Sequence, residues 1–192
     1  DAVYLGGQSF GLRAGAGNFS FEEMAQGVAF AHERGKKVYV TVNIFAHNRD
    51  LENLPAYLTK IAAIGVDAIL VSDPGVFLVA KETVPQLPIH ISTQANNTNW
   101  QTALFWHRLG AERIVLAREL TLTEIDEIAK RCQEIGIETE MFVHGAMCIS
   151  YSGRCLLSNF MVGRDANQGD CAHACRWKYR IQEEKRDGQY MN

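Results

Sequence analysis

Between residues 2 and 144, apolar runs rich in β-branched residues alternate with runs of helical period. Six apolar runs read as strands: Ala2 to Leu5, Lys37 to Asn43, Ala68 to Ser72, Ile89 to Thr93, Arg113 to Ala117 and Glu138 to His144. Their starts lie roughly 20 to 35 residues apart, the spacing of repeated β-α units. Ser20-Phe21-Glu22-Glu23 and Thr121-Leu122-Thr123-Glu124 fit capping boxes that open helices. Gly35, Gly65, Gly110 and Gly136 stand where helices should stop before the next strand. Ile125, Ile128, Ala129, Cys132 and Ile135 share one helical face, so Cys132 reads as a small core residue.

A β-α register kept through six strands predicts a parallel sheet. An open doubly wound sheet would announce a nucleotide with a Gly-rich turn after its first strand. Here Gly15-Ala16-Gly17 is followed by Ser20 where the fingerprint needs glycine. The expected architecture is therefore α/β: a partial (β/α)8 TIM-like barrel over residues 1–145, lacking its first and last strands, with a cysteine-bearing C-terminal extension over residues 146–192. Asp1 stands directly before the apolar run Ala2-Val3-Tyr4-Leu5 and the closing "GQYMN" gives no natural stop, so the sequence reads as a fragment of a longer chain.

In such a barrel, chemistry gathers at the carboxyl ends of the strands. Those ends carry the loop from Gly6 to Asn18, then Asn43, Asp73, Ser92-Thr93-Gln94, Arg118-Glu119, and Glu140 with His144. Strand ends meet solvent anyway, so each also has a plain structural reading. Period two puts Glu140, Phe142 and His144 on one face of the last strand. If that face points inward, Glu140 is a buried carboxylate that needs a partner, which Arg118 or His144 would supply, in a catalytic role or as a structural ion pair.

Composition narrows the class. A 192-residue chain with 47% hydrophobic residues has ample material for a core. The net charge of −3 gives no case for a DNA or membrane partner, but residues 1–145 hold 12 Lys/Arg against 17 Asp/Glu, and residues 146–192 hold 7 against 5. The tail is mildly basic on an acidic body. No apolar run approaches the roughly 20 residues of a membrane helix, and no leader pattern opens the chain. A cytoplasmic location is expected.

Four cysteines, Cys148, Cys155, Cys171 and Cys175, follow the last strand with spacing C-x6-C-x15-C-x3-C. Disulfides are disfavoured because nothing marks the chain as secreted. Structural zinc prefers closely paired knuckles, which only Cys171 and Cys175 approach. An iron–sulfur cluster needs thiolates but tolerates irregular spacing, and Gly145, Gly153 and Gly169 would let backbone amides approach cluster sulfides. The cluster leads, with zinc left open. The C-x3-C-x2-C pattern of radical S-adenosylmethionine enzymes is absent, since Lys178 stands where its third cysteine would be. His32-Glu33 begins a zincin motif that Lys36 breaks, and no G-x-S-x-G elbow exists. Arg176-Trp177-Lys178-Tyr179-Arg180 interleaves cations with aromatics: as an edge strand, it would face its rings to the core and its cations to solvent or to phosphates.

The run Glu140-x-Phe142-x-x-Gly145-Ala146-Met147-Cys148, followed by Ser152-Gly153-x-Cys155-x-Leu157-Ser158, resembles the signature of the collagenase-like peptidase family U32. "DAVYLGG", "LRAGAGNF", "VNIFAHN", "DAILVSDPG", "STQANNTN" and "RIVLARELTLTEI" resemble its barrel half, so the likeness covers nearly the whole chain. The resemblance implies a four-iron four-sulfur (4Fe-4S) cluster on Cys148, Cys155 and Cys171, with Cys175 or a residue beyond Asn192 as the fourth ligand. Family members divide between collagen-degrading peptidases and proteins that support hydroxylation of tRNA wobble uridine, ribosomal RNA or the ubiquinone ring. Without a serine elbow, a zincin helix or a thiol free of a metal, hydroxylation of a tRNA uridine fits better, with prephenate as the oxygen source the resemblance implies. In that expectation Glu140, His144, Arg118, Asp73 and Gln94 line the catalytic pocket, while Asn43, Arg176, Lys178 and Arg180 seat the RNA. A metal-dependent peptidase dependent on Glu140 and His144 is the alternative. A third reading is a non-catalytic cluster-bearing or RNA-binding subunit, and a partner protein or a homo-oligomer is left open.

Overall fold

The computed structural model describes residues 1–145 and 147–180. Six strands form one sheet: β1 (Ala2–Gly6), β2 (Lys37–Val42), β3 (Ala68–Val71), β4 (Ile89–Ile91), β5 (Arg113–Val115) and β6 (Glu138–Glu140). All neighbours are parallel, and the spatial order is the chain order. With parallel crossovers of the usual right hand, every connection steps in the same direction and lays its helix on the same side of the sheet. A doubly wound sheet would reverse direction partway, so the sheet here curls into a half-barrel.

Between the strands lie α1 (Phe21–His32), α2 (Asn48–Leu51), α3 (Leu54–Ile64), α4 (Pro74–Thr83), α5 (Trp100–Arg108) and α6 (Leu122–Glu134). Both expected capping boxes form: Ser20 and Glu23 bond reciprocally at the start of α1, and Thr121 and Glu124 at the start of α6. The four expected stop glycines all take positive φ.

Alternation along the strands divides the apolar side chains. Val38, Val40, Val42, Ile69, Val71, Ile89 and Ile91 face the helices and pack with Met24, Leu58, Ile61, Val76, Trp106 and Cys132 in the main core. Full burial of each such aliphatic side chain is worth about 1.5–3 kcal/mol, so this layer holds the fold. The opposite parity gives a much smaller concave cluster of Tyr39, Ala68, Leu70 and Val115.

The strands end earlier than the apolar runs suggest. Serine and threonine after Ile91 turn into a 3-10 helix, Thr93–Ala95, instead of extending β4. At the far edge β6 pairs, among the described residues, with β5 alone and stops at Glu140. Without a ladder partner the chain leaves the sheet, so Phe142 and His144 do not share a strand face with Glu140, and both are exposed. Residues 147–180 contain α7 (Leu157–Val162) and two 3-10 turns, Ala166–Gln168 and Ala174–Arg176. The expected edge strand at residues 176–180 does not form: Arg176 closes a 3-10 turn, and Trp177 and Tyr179 are exposed rather than in the core. No helix among the described residues is long and apolar enough to cross a membrane.

Candidate functional site at the carboxyl end of the sheet

The ends of β2, β3 and β4 place Asn43, Ser72 and Ser92 side by side, all buried. Asn43 donates through Nδ2 to Gln94 Oε1 at 3.2 Å, and its Oδ1 accepts from the Leu12 amide at 3.2 Å. Gln94 Oε1 also accepts from the Ser92 hydroxyl. Asn43 thus ties the loop after β1 to the 3-10 turn after β4. Beside them Asn96 stands in the left-handed region (φ 54°), and Asn97 is fully buried with both side-chain polar atoms unpartnered among the described residues.

The extension lies across this polar end. Arg118 donates to the Ser152 hydroxyl, and Asn96 Nδ2 donates to the Ser152 carbonyl at 3.1 Å. Gly153, at φ +73°, sits where a Cβ would collide with the Phe45 ring, and the Arg154 guanidinium lies 5.0 Å from that ring's centre. The Phe45 amide donates to the Asn167 carbonyl (3.1 Å), and Gln168 Nε2 donates to both the Phe45 carbonyl (3.2 Å) and Asp50 Oδ2 (2.8 Å). Asn167 Nδ2 in turn donates to the Cys155 carbonyl at 3.0 Å, fixing the backbone of one cysteine over the loops. Between the loops after β1 and β2 opens a cleft of about 450 Å³, with Ser9, Gly11, Asp50 and Gln168 in its wall.

Of the residues expected from sequence, the structure brings Asn43 and Gln94 together and sets Arg118 next to the extension. Asp73 instead caps α4, its Oδ1 accepting from the Val76 amide at 2.9 Å. His144 makes no hydrogen bond among the described residues. Glu140 pairs with neither Arg118 nor His144. It accepts from the Tyr4 hydroxyl at 2.5 Å and from Arg113 at 3.4 Å, because its strand parity turns it to the concave face, where β1 curls toward β6.

That concave face carries its own polar cluster. Arg113 also donates to Glu138 Oε2 through Nε at 2.8 Å, which holds the Glu138 carboxyl below the usual range. Tyr4 and His90 each meet the Tyr39 ring edge-on, at 5.4 and 4.7 Å between centres. Burial, then the Arg113 charge, pushes the His90 imidazole down to about 4. Burial and the Glu140 carboxylate push the Tyr4 phenol up. Tyr4 and Arg113 lie in the stretches "DAVYLGG" and "RIVLARELTLTEI" that carried the family resemblance, but neither was singled out as a site residue. Ser152, Gly153 and Asn96-Asn97 also fall inside stretches that carried the family resemblance, which was the one signal for them.

The four extension cysteines are free thiols; Cys155 and Cys171 are half-buried, and Cys148 and Cys175 are exposed. Cys171 Sγ accepts from the His173 amide at 3.3 Å. Among the described residues no three His, Cys, Asp or Glu side chains stand together in a group able to hold a metal. The donor chemistry suits a cluster, but this arrangement does not gather the thiols around one.

The whole chain, residues 1–192, matches the family model described as peptidase family U32. The chain belongs to peptidase family U32. It is 48% identical over 179 residues to tRNA hydroxylation protein P1 of Bacillus subtilis (strain 168), covering 93% of this chain and 42% of that protein. It is 48% identical over 187 residues to tRNA hydroxylation protein P of Escherichia coli (strain K12), covering 97% of this chain and 41% of that protein. The chain therefore spans less than half the length of these relatives. The solved structure of the U32 peptidase Mk0906 superposes with a TM-score of 0.59 at 21% identity, over 73% of this chain and 60% of that one, and shares the fold. Within this U32 chain, the signature stretch forms the segment leaving β6 and the start of the extension, apart from Ala146, which lies outside the described residues.

Proposed function

We propose that this U32 chain is the RNA-hydroxylating core of a longer protein that modifies a tRNA uridine in the cytoplasm. One observation carries the reading: the cysteine-bearing extension is fastened over the polar strand ends by Ser152, Gly153, Asn167 and Gln168. This lays the extension, with the Cys155 backbone bonded to Asn167, over the end of the sheet where α/β barrels do chemistry. The high identity to two tRNA hydroxylation proteins supports the same reading. In the full protein, residues 1–145 contribute six strands to a (β/α)8 barrel, and residues 146–192 belong to a cluster-binding unit.

Cys148, Cys155, Cys171 and Cys175 are the proposed 4Fe-4S ligands, with zinc as the other metal four thiols suit. Loading requires the extension to draw them together. The cluster's chemistry when bound is electron transfer, and prephenate is the proposed oxygen source. The chain's own part is positional. Asn43 and Gln94 hold the loops after β1 and β4 in one frame, and Arg118 fixes Ser152 so that the extension roofs the site. Arg176, Lys178 and Arg180 offer charge to the RNA backbone. Deletion of the gene, with mass spectrometry of tRNA nucleosides, tests the function. Loss of hydroxylated uridine, restored by the parent gene but not by a Cys155→Ser version, is the expected result; an unchanged nucleoside profile refutes it.

A further inference from the structure

The aromatic residues near the end of the described chain do not behave as a strand's buried face. Trp177 is extended (φ −72°, ψ 158°) as it leaves the 3-10 turn Ala174–Arg176. The Trp177 and Tyr179 rings lie nearly parallel, 28° between planes and 6.5 Å between centres, and the two residues are 43% and 51% exposed. The pair is pinned rather than loose: the Tyr179 hydroxyl donates to the Ala174 carbonyl at 2.7 Å, and Arg176 donates to the Met147 carbonyl at 3.0 Å. Arg176, Lys178 and Arg180 alternate with the rings in a tail that is basic on an acidic body.

Parallel open rings between cations suit unpaired nucleotides. A base has an apolar face to stack and a phosphate on each side to neutralise, whatever its identity. A protein partner would favour apolar neighbours, and here each position flanking a ring is a cation. We infer that Trp177 and Tyr179 form a stacking platform for an unpaired nucleobase of the RNA substrate, with Arg176 and Lys178 engaging the adjoining phosphates. This inference rests on the RNA reading above and names the surface that would hold the strand.

The test uses the full-length protein and two probes, labelled oligouridylate and an unmodified tRNA transcript, with anisotropy read at several salt concentrations. Trp177→Ala and Tyr179→Ala should each weaken oligouridylate binding roughly 5- to 100-fold with the salt slope unchanged, and Trp177→Phe should restore most of it. Lys178→Ala should instead flatten the salt slope by about one. If both alanine variants bind like the parent while Lys178→Ala weakens binding, the platform is wrong and the RNA reading survives. If the parent binds neither probe, both fail. If the alanine variants lower the melting temperature without RNA, the rings pack against another part of the full-length protein, and the platform is overturned.

Discussion

Gly169→Ala isolates the contact that seats the extension. Gly169 is buried at φ +92°, its carbonyl accepts from the Ala14 amide at 3.1 Å, and an added Cβ would lie 2.6 Å from the Gly11 carbonyl oxygen and 3.2 Å from the Ala14 nitrogen. Those atoms are backbone of the loop after β1, so no rotamer change relieves the collision. The left-handed conformation costs a non-glycine residue about 1–2 kcal/mol, overpacking adds about 1–3 kcal/mol, and the Ala14 bond contributes about 1 kcal/mol. The chain escapes most of this by lifting the extension, so the loss falls on docking rather than on the sheet. Docking should weaken by about 3–6 kcal/mol, or at least ~150-fold in the opening equilibrium. Trypsin cleavage at Arg164 and Arg176, followed by mass spectrometry under native conditions, reads that opening directly. Gly35→Ala is the control, because Gly35 shares a positive φ (64°) but has open space where a Cβ would go. Equal cleavage rates in Gly169→Ala and Gly35→Ala would refute the claim that this backbone approach holds the extension down.

Four further outcomes are expected. Unfolded His90 binds a proton below about 6.5, while the folded residue, beside Arg113 and Lys37, resists until about 4. Stability present above pH 6.5 should therefore fall as pH drops through that window, by at most about 3 kcal/mol, in urea titrations, and His90→Phe should flatten the fall. Asn43→Ala leaves the Leu12 amide and Gln94 without their partner, so stability should drop by about 1–3 kcal/mol, with reduced hydroxylation in complemented cells. Tyr4→Phe removes the half-exposed bond to Glu140 and should cost about 0.5–1.5 kcal/mol in thermal unfolding; a larger loss would mean the β1 to β6 approach matters more than its exposure suggests. Serine at Cys148, Cys155, Cys171 or Cys175 should abolish the iron and sulfide found in anaerobically purified full-length protein, and a single variant that keeps both is not a ligand.

The periodic features were legible along the chain. Six strands, two capping boxes, four stop glycines and the buried Cys132 are all local patterns, set by side-chain alternation and by hydrogen bonds between residues a few positions apart. The polar strand ends were legible too, as Asn43 and Gln94 show by meeting where strand endings placed them. Strand lengths were less so, since a strand persists only while a neighbour supplies a ladder, and among the described residues β6 has a neighbour on one side alone.

What the sequence by itself determined is the alternation of elements, the helix boundaries, the parallel barrel-like winding and the family. What only the tertiary structure decided is who meets whom at long range. Glu140 has Tyr4 as its partner, 136 positions away, because the sheet curls; sequence spacing carries no trace of that distance. Asp73 caps α4, its carboxylate accepting from the Val76 amide, a local bond that its place at a strand end did not reveal. Residues 176–180 join no strand of the sheet, and the rings of Trp177 and Tyr179 are left as two exposed aromatic faces between cations. Local propensity is written residue by residue, whereas these contacts depend on the curvature of the sheet and the path of the extension, which exist only once the chain has folded.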